Sequence, residues 1–200
     1  MSTKEAINVY HKDMFNRRGF LKGFGAATLS ATALTMMSGC YTARANHHGG
    51  YASDSTTQND IAILNTAISA EQEAVAAYQL GAESQLLSPE LLKVAVQFQG
   101  HHKEHIELLA SVVTQLGGTP NTPEEQYQFP VEQLKRPSDV LMFAAQLERG
   151  AVSAYAGAIP LFDNRDYSKA AASILADEAM HWAILRNALG LDPVPGAFFS

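Results

Sequence analysis

Two eight-residue stretches constrain this chain more than anything else in it. Glu71-Gln-Glu-Ala74-Val75-Ala-Ala77-Tyr78 and Glu148-Arg-Gly-Ala151-Val152-Ser-Ala154-Tyr155 agree at five of eight positions, at an offset of 77 residues. Each lies in a run of apolar residues spaced three and four apart, the period of an amphipathic helix. Each also sets one glutamate in the middle of the apolar face. A buried carboxylate without a partner is costly, and a chance core does not repeat one at matching points. The chain therefore reads as a duplicated helical bundle.

Four stripes can be followed. The first runs through Leu64, Ile68, Glu71, Val75 and Tyr78, with Asn59 or Asp60 as its cap. Ser88-Pro89 opens the second, which passes through Leu91, Val94, Phe98, His102, His105 and Leu109 until Gly117-Gly118 stops it. Ser138 is the expected cap of the third, which carries Leu141, Ala145, Glu148, Val152 and Tyr155, with Pro160 near its end. Asp163-Asn164-Arg165 leads into the fourth, with Ala171, Ile174, Glu178, His181 and Leu185, closed by Gly190. Between the second and third lies a stretch from Thr119 to Pro137 with four prolines and no period. A helix of ~28 residues is ~42 Å long, and nineteen extended residues reach ~60 Å. The stretch can therefore cross the length of the bundle and leave the second and third helices parallel.

Residues three apart on a helix point the same way. Glu178 and His181 thus aim a carboxylate and an imidazole at one point. At an offset of 76, His102-x-x-His105 overlays Glu178-x-x-His181, and Leu109 overlays Leu185. On these residues the chain resembles the ferritin-like superfamily of di-metal carboxylate proteins over about residues 58–190. The resemblance implies an all-α four-helix bundle of two hairpins joined by a long crossover. It also implies metal ligands at Glu71, His105, Glu148, Glu178 and His181.

His102 stands where that superfamily has a bridging glutamate. A carboxylate can bridge two cations, whereas a neutral imidazole has one free nitrogen. Three Glu and three His would leave two divalent ions with a net charge of +1. A pair bridged by Glu178 or by solvent is one outcome, and a single ion is another. Iron is the first expectation for the metal. Imidazole-rich coordination also brings in manganese, zinc or copper. Asp177 and His101 are expected to sit behind the ligands, holding their outer nitrogens, although His101 is an alternative ligand to His102. Helical angles favour His102, the nearer to the middle of the stripe. Tyr78 and Tyr155 are core aromatics with satisfied hydroxyls, or partners in electron or proton transfer at the centre. A bundle of mutually paired Glu and His with no metal is the plain structural reading against which these stand.

The front of the chain reads differently. Asn16-Arg17-Arg18-Gly19-Phe20-Leu21-Lys22 precedes a short Gly/Ala/Ser/Thr-rich apolar run and resembles a twin-arginine export signal. Met37-Ser38-Gly39-Cys40 resembles a lipoprotein box that would lipidate Cys40. Ala43-Arg44-Ala45 is the competing cleavage site, releasing a soluble protein from Asn46. Residues 1–40 are therefore assigned to the signal, 41–57 to a polar tether, 58–190 to the bundle and 191–200 to a non-helical tail. His47-His48 in the tether reads as incidental. This places the protein outside the cytoplasm, in the periplasm or envelope, touching a membrane only through a lipid.

Cys40 is the only cysteine, which excludes a disulfide framework and any multi-cysteine cluster. Beyond residue 40 the chain has nine Lys and Arg against eighteen Asp and Glu, a formal charge of −9. That balance argues against nucleic acid or an anionic membrane as partner and suits cations. No glycine-rich phosphate loop or nucleophile elbow is present. Two functions remain. One is an oxidase or peroxide-scavenging centre reacting with oxygen or peroxide. The other is metal binding or storage, or an envelope stress role, on the same scaffold. The assembly expected is small, a homodimer rather than a cage.

Overall fold

The computed structural model describes residues 52–199. Four α-helices make up the bundle: α1 (Ala52–Glu83), α2 (Pro89–Gln115), α3 (Pro137–Ala158) and α4 (Arg165–Ala188). The expected export signal, the candidate cleavage sites at Cys40 and Ala45, and His47-His48 lie outside the described residues. No helix among the described residues is long and apolar enough to cross a membrane.

Helices α1 and α2 form one hairpin, α3 and α4 the other. The start of α3 lies by the end of α1, where a Cβ on Gly81 would stand 3.1 Å from Val140. At the far end, Asn59 donates to the Leu161 carbonyl, 3.0 Å away, beyond the end of α3. Helix α3 is thus antiparallel to α1 and parallel to α2, as the crossover length implied. The crossover is anchored as it passes α1. Asn121 N–H donates to Asn65 Oδ1 at 2.8 Å, Asn121 Nδ2 to Ser69 Oγ at 2.9 Å, and Gln72 Nε2 to the Asn121 carbonyl at 2.9 Å. Phe129 then packs edge-on against Phe143 of α3, ring centres 5.7 Å apart.

Local chemistry explains most boundaries. Ser88 caps α2 by accepting from Leu91 N–H, and Asn164 caps α4 by accepting from Asp166 N–H. Gly117 and Gly190 follow α2 and α4 with φ of 78° and 72°, a left-handed conformation that costs glycine little. Two expectations are corrected. Helix α1 begins at Ala52, so residues 52–57 of the expected tether are helical, because no glycine or proline after Gly50 halts the helix. Asn59 and Asp60 are therefore inside α1 rather than capping it. Ser138 is not the cap of α3 either, since the helix opens at Pro137 and Asp139 accepts from the Arg136 and Lys135 N–H groups at 2.9 and 3.2 Å.

The tail after α4 is non-helical, as expected, and folds back. Arg186 Nε donates to the Asp192 carbonyl at 2.6 Å, and Phe199 packs edge-on against Trp182. Two apolar clusters fill the bundle. Ile61, Leu64, Ile68, Leu109 and Val113 belong to one, and Ala95, Phe98, Leu141 and Leu185 to the other. The level between them holds Glu71, His102, Glu148, Glu178 and His181, all buried.

Asp60 is buried, and its carboxylate accepts from the Asp163 and Asn164 N–H groups at 2.9 and 3.1 Å, tying the α3–α4 turn to α1. Asp60→Ala leaves both donors without that partner. It should lower unfolding free energy by about 2–4 kcal/mol, read as a reduced urea midpoint at unchanged m-value.

Candidate metal centre

Each helix delivers its polar residues to the same level because the apolar residues one turn above and below fix their rotation. Glu71 and Tyr78 come from α1, His102 and His105 from α2, Glu148 and Tyr155 from α3, Glu178 and His181 from α4. Donor atoms fall into three groups, in each of which they lie within 4.8 Å of one another: two buried at this level and a third, His101, Asp177 and His181, at its edge. The first buried group comprises Glu71, His102, His105 and Glu178, the second His102, Glu148, Glu178 and His181. All six sequence-predicted ligands are brought together. Glu178 belongs to both inner groups, and so does His102. The His102 ring spans the centre, with Nδ1 2.7 Å from Glu71 Oε2 and Nε2 3.3 Å from Glu148 Oε1.

The tyrosines satisfy their hydroxyls across the duplication. Tyr78 of the first half donates to Glu148 of the second, and Tyr155 donates to Glu71 Oε1 at 2.5 Å. Burial, with Glu148 beside Tyr78 and Glu71 beside Tyr155, holds both phenols well above their ordinary pKa. They stay protonated donors that orient the two carboxylates. Behind the centre, Asp177 Oδ2 lies 3.2 Å from His181 Nε2 and 3.5 Å from His105 Nε2, within reach of both outer nitrogens. His101 lies outside both inner groups, whereas His102 belongs to each of them.

Hydrogen bonds do not use up the centre. Both oxygens of Glu178, Glu148 Oε2 and His181 Nδ1 are buried without a hydrogen-bond partner. A buried polar atom left so costs about 1–3 kcal/mol, and native structures keep few. All four lie on residues of the second group, and of these only Glu178 is shared with the first. In the first, Glu71 is already satisfied on both oxygens, by Tyr155 and by His102. Carboxylate and imidazole donors of this kind, converging at one level, fit divalent transition metals.

The ferritin-like domain profile matches residues 59–191. The chain belongs to the ferritin-like domain family. Three solved structures share the fold. A conserved hypothetical protein from Mycobacterium tuberculosis superposes with a TM-score of 0.62 at 20% identity, over 72% of this chain and 99% of that one. The bacterioferritin-related protein from Bacteroides fragilis, described as a dodecameric thioferritin, gives 0.57 at 22% identity over 70% and 94%. A ferritin-like diiron-carboxylate protein from Bacillus anthracis gives 0.57 at 21% over 67% and 97%. No curated protein matches.

Within this ferritin-like site the protons are unevenly held. Burial pushes the Glu178 carboxyl up to about 9, with the neighbouring Glu148 and Glu71 carboxylates adding to the effect. Burial would raise Glu148 too, but Glu178, His102 and His181 outweigh it and hold Glu148 below the usual range. The two carboxyls are thus pushed in opposite directions, Glu178 towards its neutral form and Glu148 towards its ionised one. Burial would lower His105, yet the carboxylates of Glu178 and Glu71 raise it to about 9. Burial also opposes ionisation of Glu71 and His102, and is overcome by their mutual pairing and, for His102, by Glu148.

Sequence reasoning missed two contacts. Phe98 stacks on His181 with ring centres 3.9 Å apart, fixing that imidazole. Its place one turn before His102 on the same stripe was the available signal. The approach of His101 Nδ1 to His181 Nε2, 2.9 Å, had none, since it joins α2 to α4.

A carboxyl raised from 4.5 to about 9 takes up protons on folding, so its contribution is complete below pH 4.5 and is lost towards pH 9. His105 behaves alike between 6.5 and about 9. The melting temperature of the metal-free protein should fall as pH rises from 6 to 9.5. In Glu178→Gln, whose amide imitates the protonated acid, the fall should be visibly shallower while metal uptake drops. Calorimetry across that pH range, with metal analysis alongside, checks both.

Proposed function

We propose that this is an exported metalloprotein whose buried centre takes two transition-metal ions, iron first with manganese or zinc as alternatives, and reacts with dioxygen or peroxide. The observation that carries the reading is the set of four orphaned donor atoms on Glu148, Glu178 and His181. A cation relieves them all at once and replaces the proton held by Glu178. The two positions are unequal. Glu148, Glu178, His181 and His102 form the tighter, because three of those residues hold atoms with nothing else to bind. The position at Glu71 and His105 is weaker, because an ion there must displace existing hydrogen bonds.

Redox-active ions in this centre would supply electrons to dioxygen or a peroxide. The chain's own part is to bind, orient and exclude water. The apolar clusters keep the level dry, and Tyr78 and Tyr155, as protonated donors, hold Glu148 and Glu71 in place. The paired arginines and the hydrophobic run after them support export, and the acidic balance of the remainder supports a cationic ligand. A second reading, metal holding without turnover, draws on the satisfied state of Glu71. If only the tighter position fills, paired-metal chemistry is not available.

Metal titration of the stripped protein should show two phases. Glu148→Gln should remove the tight phase, weakening it at least a hundredfold, and Glu71→Gln only the weak one. Uptake below a tenth of an equivalent would sink the reading. Ferrous-ion oxidation or peroxide consumption should fall at least tenfold in His105→Ala. Equal rates in the variant would favour holding over turnover. His102→Glu, which restores a second bridging carboxylate and removes the residual +1, should tighten the second phase.

A further inference from the structure

Outside the buried centre, three donor atoms converge on one point. His101 Nδ1 lies 2.9 Å from His181 Nε2 and 3.1 Å from Asp177 Oδ2, and the last two are 3.2 Å apart. The centre of such a triangle is ~1.8 Å from each corner, so an ion ~1.1 Å above its plane would make ordinary bonds of ~2.1 Å to all three. This is a three-ligand set that leaves further positions for water. It also stands at a boundary. The His101 and Asp177 side chains are 33% and 22% exposed, whereas His181 is 1% exposed.

The His181 ring faces both ways. Nε2 is a corner of the outer triangle, and the orphaned Nδ1 belongs to the tighter inner group, 3.4 Å from Glu148 Oε1. A neutral imidazole has one nitrogen free to bind a metal. The ring can therefore serve the outer point or the inner one, but not both at once. With an ion outside, Nδ1 carries the proton and faces Glu148. With an ion inside, Nε2 carries it and faces Asp177. The ring's proton count is unchanged by the exchange. Phe98, stacked on the ring, holds it in the one orientation that presents a nitrogen to each side.

We propose that His101, Asp177 and His181 form a solvent-facing landing site for a divalent cation, from which the ion passes to the buried centre as His181 changes the nitrogen it uses. The landing role rests on the buried centre proposed above; the outer site itself does not. Asp177 Oδ2 also reaches the outer nitrogen of His105, so the same carboxylate borders both inner positions. His101 is then a positioning and capture residue with no place in the final coordination. This separates it from a residue that only steadies a ligand, whose loss would weaken the loaded state.

Cobalt(II) is the probe. The full chain is stripped with chelator and mixed with micromolar cobalt, and filling is followed by the visible absorption of bound cobalt. His101→Ala should fill to the same final equivalents as the parent at a rate at least tenfold lower. An unchanged rate overturns the landing role, and so does a loss of final equivalents. His101→Gln serves if the alanine variant does not fold. Crystals of the Glu148→Gln variant, in which the tight inner group is disabled, should show an anomalous cobalt peak bonded to His101 Nδ1. No peak there overturns the outer site. A peak there with a parent protein that never fills inside would overturn the proposed function and leave the outer site standing.

Discussion

Three carboxylates buried at one level of a four-helix bundle are the constraint on which everything else in this structure depends. Alone, each would be driven to the surface or to its neutral form. They stay because imidazoles and phenols reach them from neighbouring helices, and because what those groups leave unsatisfied suits a cation. The apolar clusters above and below exist in the same register as this polar level. A rotation of any helix by one residue would withdraw its ligand and expose its core face together. Packing and site are thus one specification, and the tight anchoring of the crossover and of the α3–α4 turn serves both.

Duplication supplies the symmetry of the site and a single side chain breaks it. Tyr78 pairs with Glu148 and Tyr155 with Glu71, so each half orients the carboxylate of the other. His102 in place of a glutamate ends the equivalence. Its two nitrogens reach Glu71 and Glu148, and this quenches Glu71 while Glu148 and Glu178 keep free oxygens. The result is one position ready for an ion and one already partly answered by hydrogen bonds. The opposite shifts of the two carboxyls, Glu178 upward and Glu148 downward, follow from the same broken symmetry.

The polar level is also not closed. Asp177 and His101 continue it towards solvent, and His181 carries a nitrogen on each side of the boundary. A buried centre that takes an ion needs a route for it, and the groups behind the ligand rings are the ones that face solvent.

Much of this was legible in the chain. Helical period, paired glutamates at an offset of 77 and the Glu178–His181 spacing determined a duplicated four-helix bundle and singled out six side chains that the packing brings to one level. They did so because a polar residue on a core stripe is costly enough to be informative wherever it recurs. Capping was read less well. Asn59, Asp60 and Ser138 have the right chemistry for caps, but a helix without a breaker runs past a polar residue, and Asp60 was needed across the bundle instead. Which atoms face which was a matter for the tertiary structure alone. The crossing of the tyrosines, the two-sided contact of His102, the orphaned oxygens of Glu178 and the meeting of His101 with His181 all join different helices. Sequence period sets the angle of a side chain about its own helix axis. Only the packing of four helices decides what that side chain meets.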